Sequence, residues 1–95
     1  MKTIDERILT LIEVLKTLKL IRFDTEFCES IEIKKQNLNR IKKGEVYFTT
    51  KHIDKIIKAY KVNANWIFGT SDKIFLTHQF NPMLENIDVD ALSKH

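Results

Sequence analysis

Six apolar residues, Ile4, Ile8, Leu11, Ile12, Leu15 and Leu18, fall at offsets of 0, 4, 7, 8, 11 and 14 near the start of the chain. A helix of 3.6 residues per turn gathers that spacing into one stripe, and the stripe has to be covered. Thr3, with Glu6 three residues later, offers the hydroxyl and carboxylate of a capping box. A first helix is therefore predicted from about Ile4 to Lys19. Two glycines and one proline (Pro82) leave few places for the tight turns of a β fold, so further helices are expected to do the covering. Ninety-five residues, 43% of them apolar, suit one domain with one core.

The rest of the chain reads in the same way. A short helix is predicted over Asp24–Ile31, burying Phe27, Cys28 and Ile31, with a turn at Glu32 and Ile33. A third helix spans Lys34–Lys43, with Leu38 and Ile41 inward at a spacing of three. Gly44 follows as a C-terminal cap, because glycine enters the left-handed region without steric cost. After a loop at Glu45–Phe48, Thr49 or Thr50 caps a fourth helix carrying Ile53, Ile56, Ile57 and Tyr60. Asn63 caps a short fifth helix with Trp66, Ile67 and Phe68, ended by Gly69. Residues 1–70 thus form one five-helix, all-α domain. Residues 71–95 form a C-terminal tail or extra helix, open to reading as a linker or a dimerisation segment. Its apolar Ile74, Phe75, Leu76, Phe80, Met83, Leu84, Ile87, Val89 and Leu92 are too many for a purely solvated tail.

Several function classes find no residues here. Cys28 is the one cysteine, so no intrachain disulfide or cysteine-based zinc site can form, in keeping with a reducing cytoplasm. His52, His78 and His95 lack metal-ligand spacing, and no glycine-rich phosphate loop occurs. Neither an enzyme, a cofactor, a metal nor a small-molecule ligand is expected. The opening apolar residues are broken by Asp5, Glu6, Arg7 and Glu13, unlike a signal peptide, and no apolar run approaches a membrane span.

Net charge is only +3, but it is unevenly placed. Residues 34–44 hold five basic side chains and no acidic one, whereas residues 1–33 hold five basic and seven acidic. Localised positive charge is the footprint expected of a polyanion-binding surface. A short helix, a tight turn and a second helix that is apolar inside and cationic outside is the layout of a helix-turn-helix. The segment KKQNLNRIKK leaves Lys34, Lys35, Gln36, Asn37, Asn39, Arg40, Lys42 and Lys43 for solvent or for double-stranded DNA. Gln and Asn can grip adenine through N6 and N7, Arg and Lys can grip guanine through O6 and N7, and the flanking Lys42 and Lys43 suit phosphates.

The stretches FCESIEIKKQNLNRIKKG (27–44) and HIDKIIKAYKVNANWIFG (52–69) carry Phe27–Cys28, Ile31 and Ile33, and the series Leu38, Arg40, Ile41, Gly44. They continue with Ile56, Lys58, Ala59, Tyr60, Val62, Trp66 and Ile67. In this ungapped order the chain resembles the lambda-repressor-like (Cro/C1-type, XRE) helix-turn-helix regulators over about residues 4–70. The resemblance implies a five-helix DNA-binding bundle and a sequence-specific transcriptional regulator, a repressor of phage, plasmid or bacterial type acting as a cytoplasmic homodimer. It implies base contacts from Lys35, Gln36 and Arg40, with Lys34 and Asn39 beside them, and phosphate contacts from Tyr47, Thr49, Thr50 and Lys51. Three positions depart from the pattern. Asp24 stands where Gln is common, and is expected to cap its helix or pair with an Arg. Glu32 and Lys61 stand where a residue of positive φ, commonly Gly at the first, is expected. The competing reading is a protein-interaction module, adaptor or antitoxin-like, that keeps the fold without specific DNA binding.

Overall fold

A computed structural model describes residues 3–76. The chain winds into five helices: α1 (Ile4–Thr17), α2 (Asp24–Ile31), α3 (Lys35–Lys42), α4 (Thr50–Tyr60) and α5 (Ala64–Ile67). Among the described residues there is no strand, only an isolated antiparallel bridge between Val62 and Phe75. No helix among them is long and apolar enough to cross a membrane. The expected fold class, all-α, is what is observed.

Helix α1 is the centre of the core. Its N-cap is Thr3, whose hydroxyl accepts from the Glu6 amide at 3.1 Å. The expected Ile8, Leu11, Ile12 and Leu15 are buried, but so are Leu9, Val14 and Thr10, so the helix is enclosed over more than one stripe. Thr10 is tolerated there because its hydroxyl donates to the Glu6 carbonyl at 2.9 Å. The ends of the stripe are looser, with Ile4 exposed and Leu18 only partly buried. Each buried Leu or Ile contributes about 1.5–3 kcal/mol against exposure, so this one helix organises much of the folding energy.

Four of the five helices end alike. Beyond α1, the Leu20 amide donates to the Leu15 carbonyl and the Lys19 amide to the Lys16 carbonyl. The same crossed pair recurs after α2 (Ile33 to Cys28, Glu32 to Glu29), α3 (Glu45 to Arg40, Gly44 to Ile41) and α5 (Thr70 to Asn65, Gly69 to Trp66). This is the Schellman arrangement, which satisfies carbonyls that the helix end would otherwise orphan, and it requires a left-handed residue. Gly44 and Gly69 fill that place as expected, with φ of +78° and +86°. Glu32 and Lys61 also adopt positive φ, 57° and 56°, so the turn geometry is kept and the side chains bear its cost. Lys19, at φ 62°, is a further case that the sequence reading did not anticipate.

Cross-ties hold the helices in register. Arg7 of α1 lies 5.7 Å from the Trp66 ring centroid and donates to the Trp66 carbonyl at the end of α5. Tyr60 of α4 stacks on Phe27 of α2 at 5.9 Å, and its hydroxyl donates to Ser30 Oγ at 2.6 Å. Asn63 caps α5 by accepting from the Asn65 amide, while its amide nitrogen donates to the Lys73 carbonyl at 3.0 Å. The Asn63 amide donates to the Ile74 carbonyl at 2.7 Å, and Leu76 to Lys61 at 2.8 Å. Ile74 and Phe75 are thereby buried, and the core runs past the expected end of the domain at residue 70. The remaining apolar residues of the tail, from Phe80 to Leu92, lie outside the described residues.

Candidate nucleic-acid interface

Helix α3 is held from behind by Leu38, 0% exposed, and Ile41, 4% exposed. Ile33, buried just ahead of it, anchors its entry, and the left-handed Glu32 makes the turn from α2. Every other residue from Lys34 to Lys43 is exposed. The observed helix is one residue shorter at each end than expected, because Lys34 (φ −74°, ψ 142°) and Lys43 are its caps. Lys34 lends no side-chain oxygen, so the first amides of α3 have no side-chain cap.

The residues assigned to bases occupy the N-terminal half and middle of this face: Lys34 at the cap, Lys35 and Gln36 in the first turn, Asn39 and Arg40 one turn on. Arg40 Nε stands 3.6 Å from Glu45 Oε1, with both side chains about half exposed. An exposed pair of that kind is worth about 0–1 kcal/mol and yields readily to a better partner. Among the described residues Lys34, Lys35 and Lys43 form no ion pair.

Of the residues assigned to phosphates, Lys42 and Lys43 end α3, and Tyr47 and Thr49 share recesses with residues of that helix. Tyr47, 77% exposed, borders three shallow recesses. It shares one of about 190 Å³ with Asn37, Ile41, Thr49 and His52, and one of about 350 Å³ with Lys42, Lys43 and Gly44. The third, about 390 Å³, brings Tyr47 to Thr50, Phe48, Ile53, Ile4 and Phe68 and is largely apolar. Lys34, Lys35, Gln36, Asn39, Arg40 and Lys51 line none of these three. Thr49, Thr50 and Lys51 are exposed at the start of α4. The loop that carries Tyr47 is fixed at its far end, where Phe48 is buried and its amide donates to Asp5 Oδ1 at 3.0 Å.

Thr49 is the α4 cap, and its partner is unusual. The His52 amide donates to Thr49 Oγ1 at 3.2 Å, and the Thr49 amide donates to His52 Nδ1 at 3.1 Å. His52 therefore fills the place that Glu or Gln takes in a capping box, which requires Nδ1 to be unprotonated. Burial, then Lys55 and Lys51, holds its imidazole below the ordinary value of 6.5. Sequence reading weighed His52 only as a metal ligand; its spacing of three from Thr49 was the available signal.

Asp24 likewise does something other than expected. The N-cap of α2 is Phe23, and Asp24 occupies the first turn, where it pairs with lysines rather than an arginine. Lys42 Nζ reaches Oδ2 at 2.6 Å and Lys16 Nζ stands 2.7 Å from Oδ1. Burial pushes the Asp24 carboxyl up, but the two ammonium groups outweigh it and hold it below the usual carboxylate value. Glu32, in the turn, pairs with Lys55 of α4, which lowers its carboxyl as well. Cys28 is buried, and burial followed by the Asp24 charge pushes its thiol up, away from thiolate chemistry. No group of three or more His, Cys, Asp or Glu among the described residues is placed to hold a metal ion.

No family model matches the chain, and no curated protein or solved structure is significantly similar to it.

Proposed function

We propose that this protein is a sequence-specific DNA-binding regulator that lays α3 in the major groove, with a bundle of the lambda-repressor-like kind behind it. The observation that carries the reading is the division of α3: Leu38 and Ile41 are buried, and every other position from Lys34 to Lys43 is polar and exposed. Lys35, Gln36 and Arg40, with Lys34 and Asn39, are the base readers, each good bidentate pair contributing about 1–3 kcal/mol of discrimination. Lys43, at the end of α3, together with Tyr47, Thr49, Thr50 and Lys51, takes the phosphates, and Lys42 stands beside it paired with Asp24. Two copies read two half-sites, and occupancy represses by blocking the promoter.

Selection of bound fragments from a random duplex library tests this directly. A palindromic consensus, with binding that weakens by a log–log slope of about −0.9 per phosphate contact as salt rises, is the expected result. Absence of duplex binding at low salt would sink the reading. A second reading, the protein-interaction module, draws on the apolar recess where Tyr47 and Phe68 stand 77% and 57% exposed. It predicts that a partner protein competes with nothing on α3.

A further inference from the structure

Building on the DNA-binding reading, we propose that Lys42 is a positioning residue withheld from phosphate, and that Asp24 withholds it. One carboxylate, Asp24, joins three elements: the last turn of α1 through Lys16 at 2.7 Å, its own α2, and the last turn of α3 through Lys42 at 2.6 Å. Lys16 is in turn 3.5 Å from Glu13, which fixes its direction. The Lys42 side chain is the less open part of an exposed residue. The side chains of Asp24 and Lys42 are 16% and 27% exposed, against 54% for Arg40 on the same helix.

The geometry makes exchange of Lys42 for a phosphate unfavourable. Asp24 Oδ1 is buried and meets only Lys16, so a departing Lys42 would leave Oδ2 unpaired on a half-neutralised carboxylate whose side chain is largely covered. That carboxylate would then face the incoming phosphate and repel it. The pairing also gives α3 what its inward residues lack. Leu38 and Ile41 sit within one turn of each other on an eight-residue helix, which sets its depth but leaves its rotation weakly defined. Lys42, tied sideways to α2, fixes the rotation and with it the outward aim of Gln36 and Arg40. The positive charge of α3 available to DNA is then that of Lys34, Lys35, Arg40 and Lys43.

The test compares Lys42→Met, which keeps the apolar stem, with Lys43→Met and Asp24→Asn, reading urea midpoints and the salt slope of duplex binding. Lys43→Met should flatten the slope by about 0.9, equivalent to about a 3.5-fold smaller loss of affinity between roughly 50 and 200 mM salt, and leave the midpoint alone. Lys42→Met should lower the midpoint, lower selectivity between operator and random duplex, and leave the slope unchanged. Asp24→Asn should release Lys42 and steepen the slope by up to about 0.9; Lys42→Met added to it should remove that gain. A slope change from Lys42→Met equal to that from Lys43→Met, with an unchanged midpoint, overturns the proposal. So do additive midpoint shifts from Asp24→Asn and Lys42→Met, a result that needs no DNA. A wild-type protein that binds no duplex defeats the DNA-binding reading instead, while the unfolding cycle still judges the pairing.

Discussion

At the scale of single residues, two kinds of position can be told apart by what their side chains do. Arg40 is exposed and only loosely paired with Glu45, so its removal should leave the fold intact and, if α3 binds DNA as proposed, be felt there alone. Arg40→Ala is expected to cost about 1–3 kcal/mol on the selected operator and to relax preference at one base pair. Equal loss on operator and random duplex, measured by titration at fixed salt, would show that Arg40 reads no base. Lys19 and Gly44 make the opposite pair, acting on folding alone. Both occupy the left-handed place of a Schellman turn, with φ of 62° and 78°. Lys19 is exposed and forms no ion pair among the described residues, while a Cβ on Gly44 would meet nothing within 4 Å. Only the backbone conformation is then at stake. Lys19→Gly should stabilise by about 0.5–1 kcal/mol, the relief of left-handed strain offset in part by a freer unfolded chain. Gly44→Ala should destabilise by about 1 kcal/mol, and thermal melts should move by about 4–8 °C per kcal/mol in the two directions. A melting point that falls in Lys19→Gly would show that strain there is relieved in some other way.

At the scale of elements, most of the chain was legible because helices announce themselves by period and cap. The stripe of α1, the inward pair of α3, Gly44 and the Asn63 cap of α5 all stand where spacing put them. The partner of a cap or of a charge was not legible when it came from an unconventional residue or from another helix. Asp24 shows this, since nothing local to α2 indicates that lysines from α1 and α3 converge on it. His52 shows it within one element, and α4 consequently has a pH dependence that can be given a sign. In the unfolded chain the imidazole takes its proton near its ordinary value of 6.5; in the fold it does so lower. Between those values the unfolded state binds more protons, so stability rises with pH. The contribution of His52 is fully present above about 6.5 and is lost as pH falls through that value towards the folded one. His52→Gln keeps an acceptor for the Thr49 amide and cannot titrate, so the drop in urea midpoint between about pH 7.5 and 5 should shrink in that variant. Thr49→Ala should cost about 1 kcal/mol at either pH. Asp24, whose carboxyl is held below its usual value of 3.8, loses its own contribution as pH falls through that value, so its loss sets in at lower pH than that of His52. An unchanged pH response in His52→Gln would move its origin elsewhere.

At the scale of the whole molecule, the question is how much chain the bundle needs to close. Periodicity placed the end of the domain at residue 70, because residues 71–76 carry no helical pattern and little local propensity. Their role is tertiary: Ile74 and Phe75 complete the core, and the bridge to Val62 supplies the backbone partners. Such a contribution cannot be read from spacing, since it depends on where the turn after α4 brings two distant segments together. Phe75 is 1% exposed and among the largest fully buried side chains, so the cost of deleting it is that of a core aromatic. Phe75→Ala should destabilise by about 3–5 kcal/mol, a large share of the roughly 5–15 kcal/mol available to a domain of this size. Shortening the chain to residue 70 removes the bridge as well and should abolish cooperative unfolding. The comparison with Leu76→Ala is the control, because Leu76 is 61% exposed and its backbone bond to Lys61 survives the change. Urea titrations should then show a midpoint far lower for Phe75→Ala, near wild type for Leu76→Ala, and a common m-value for both. If Phe75→Ala unfolds like the wild type, residues 71–76 lie on the bundle without completing it. If α3 binds DNA as proposed, that binding should follow the same order, since Leu38 and Ile41 can present its outward face only while the core behind them is whole.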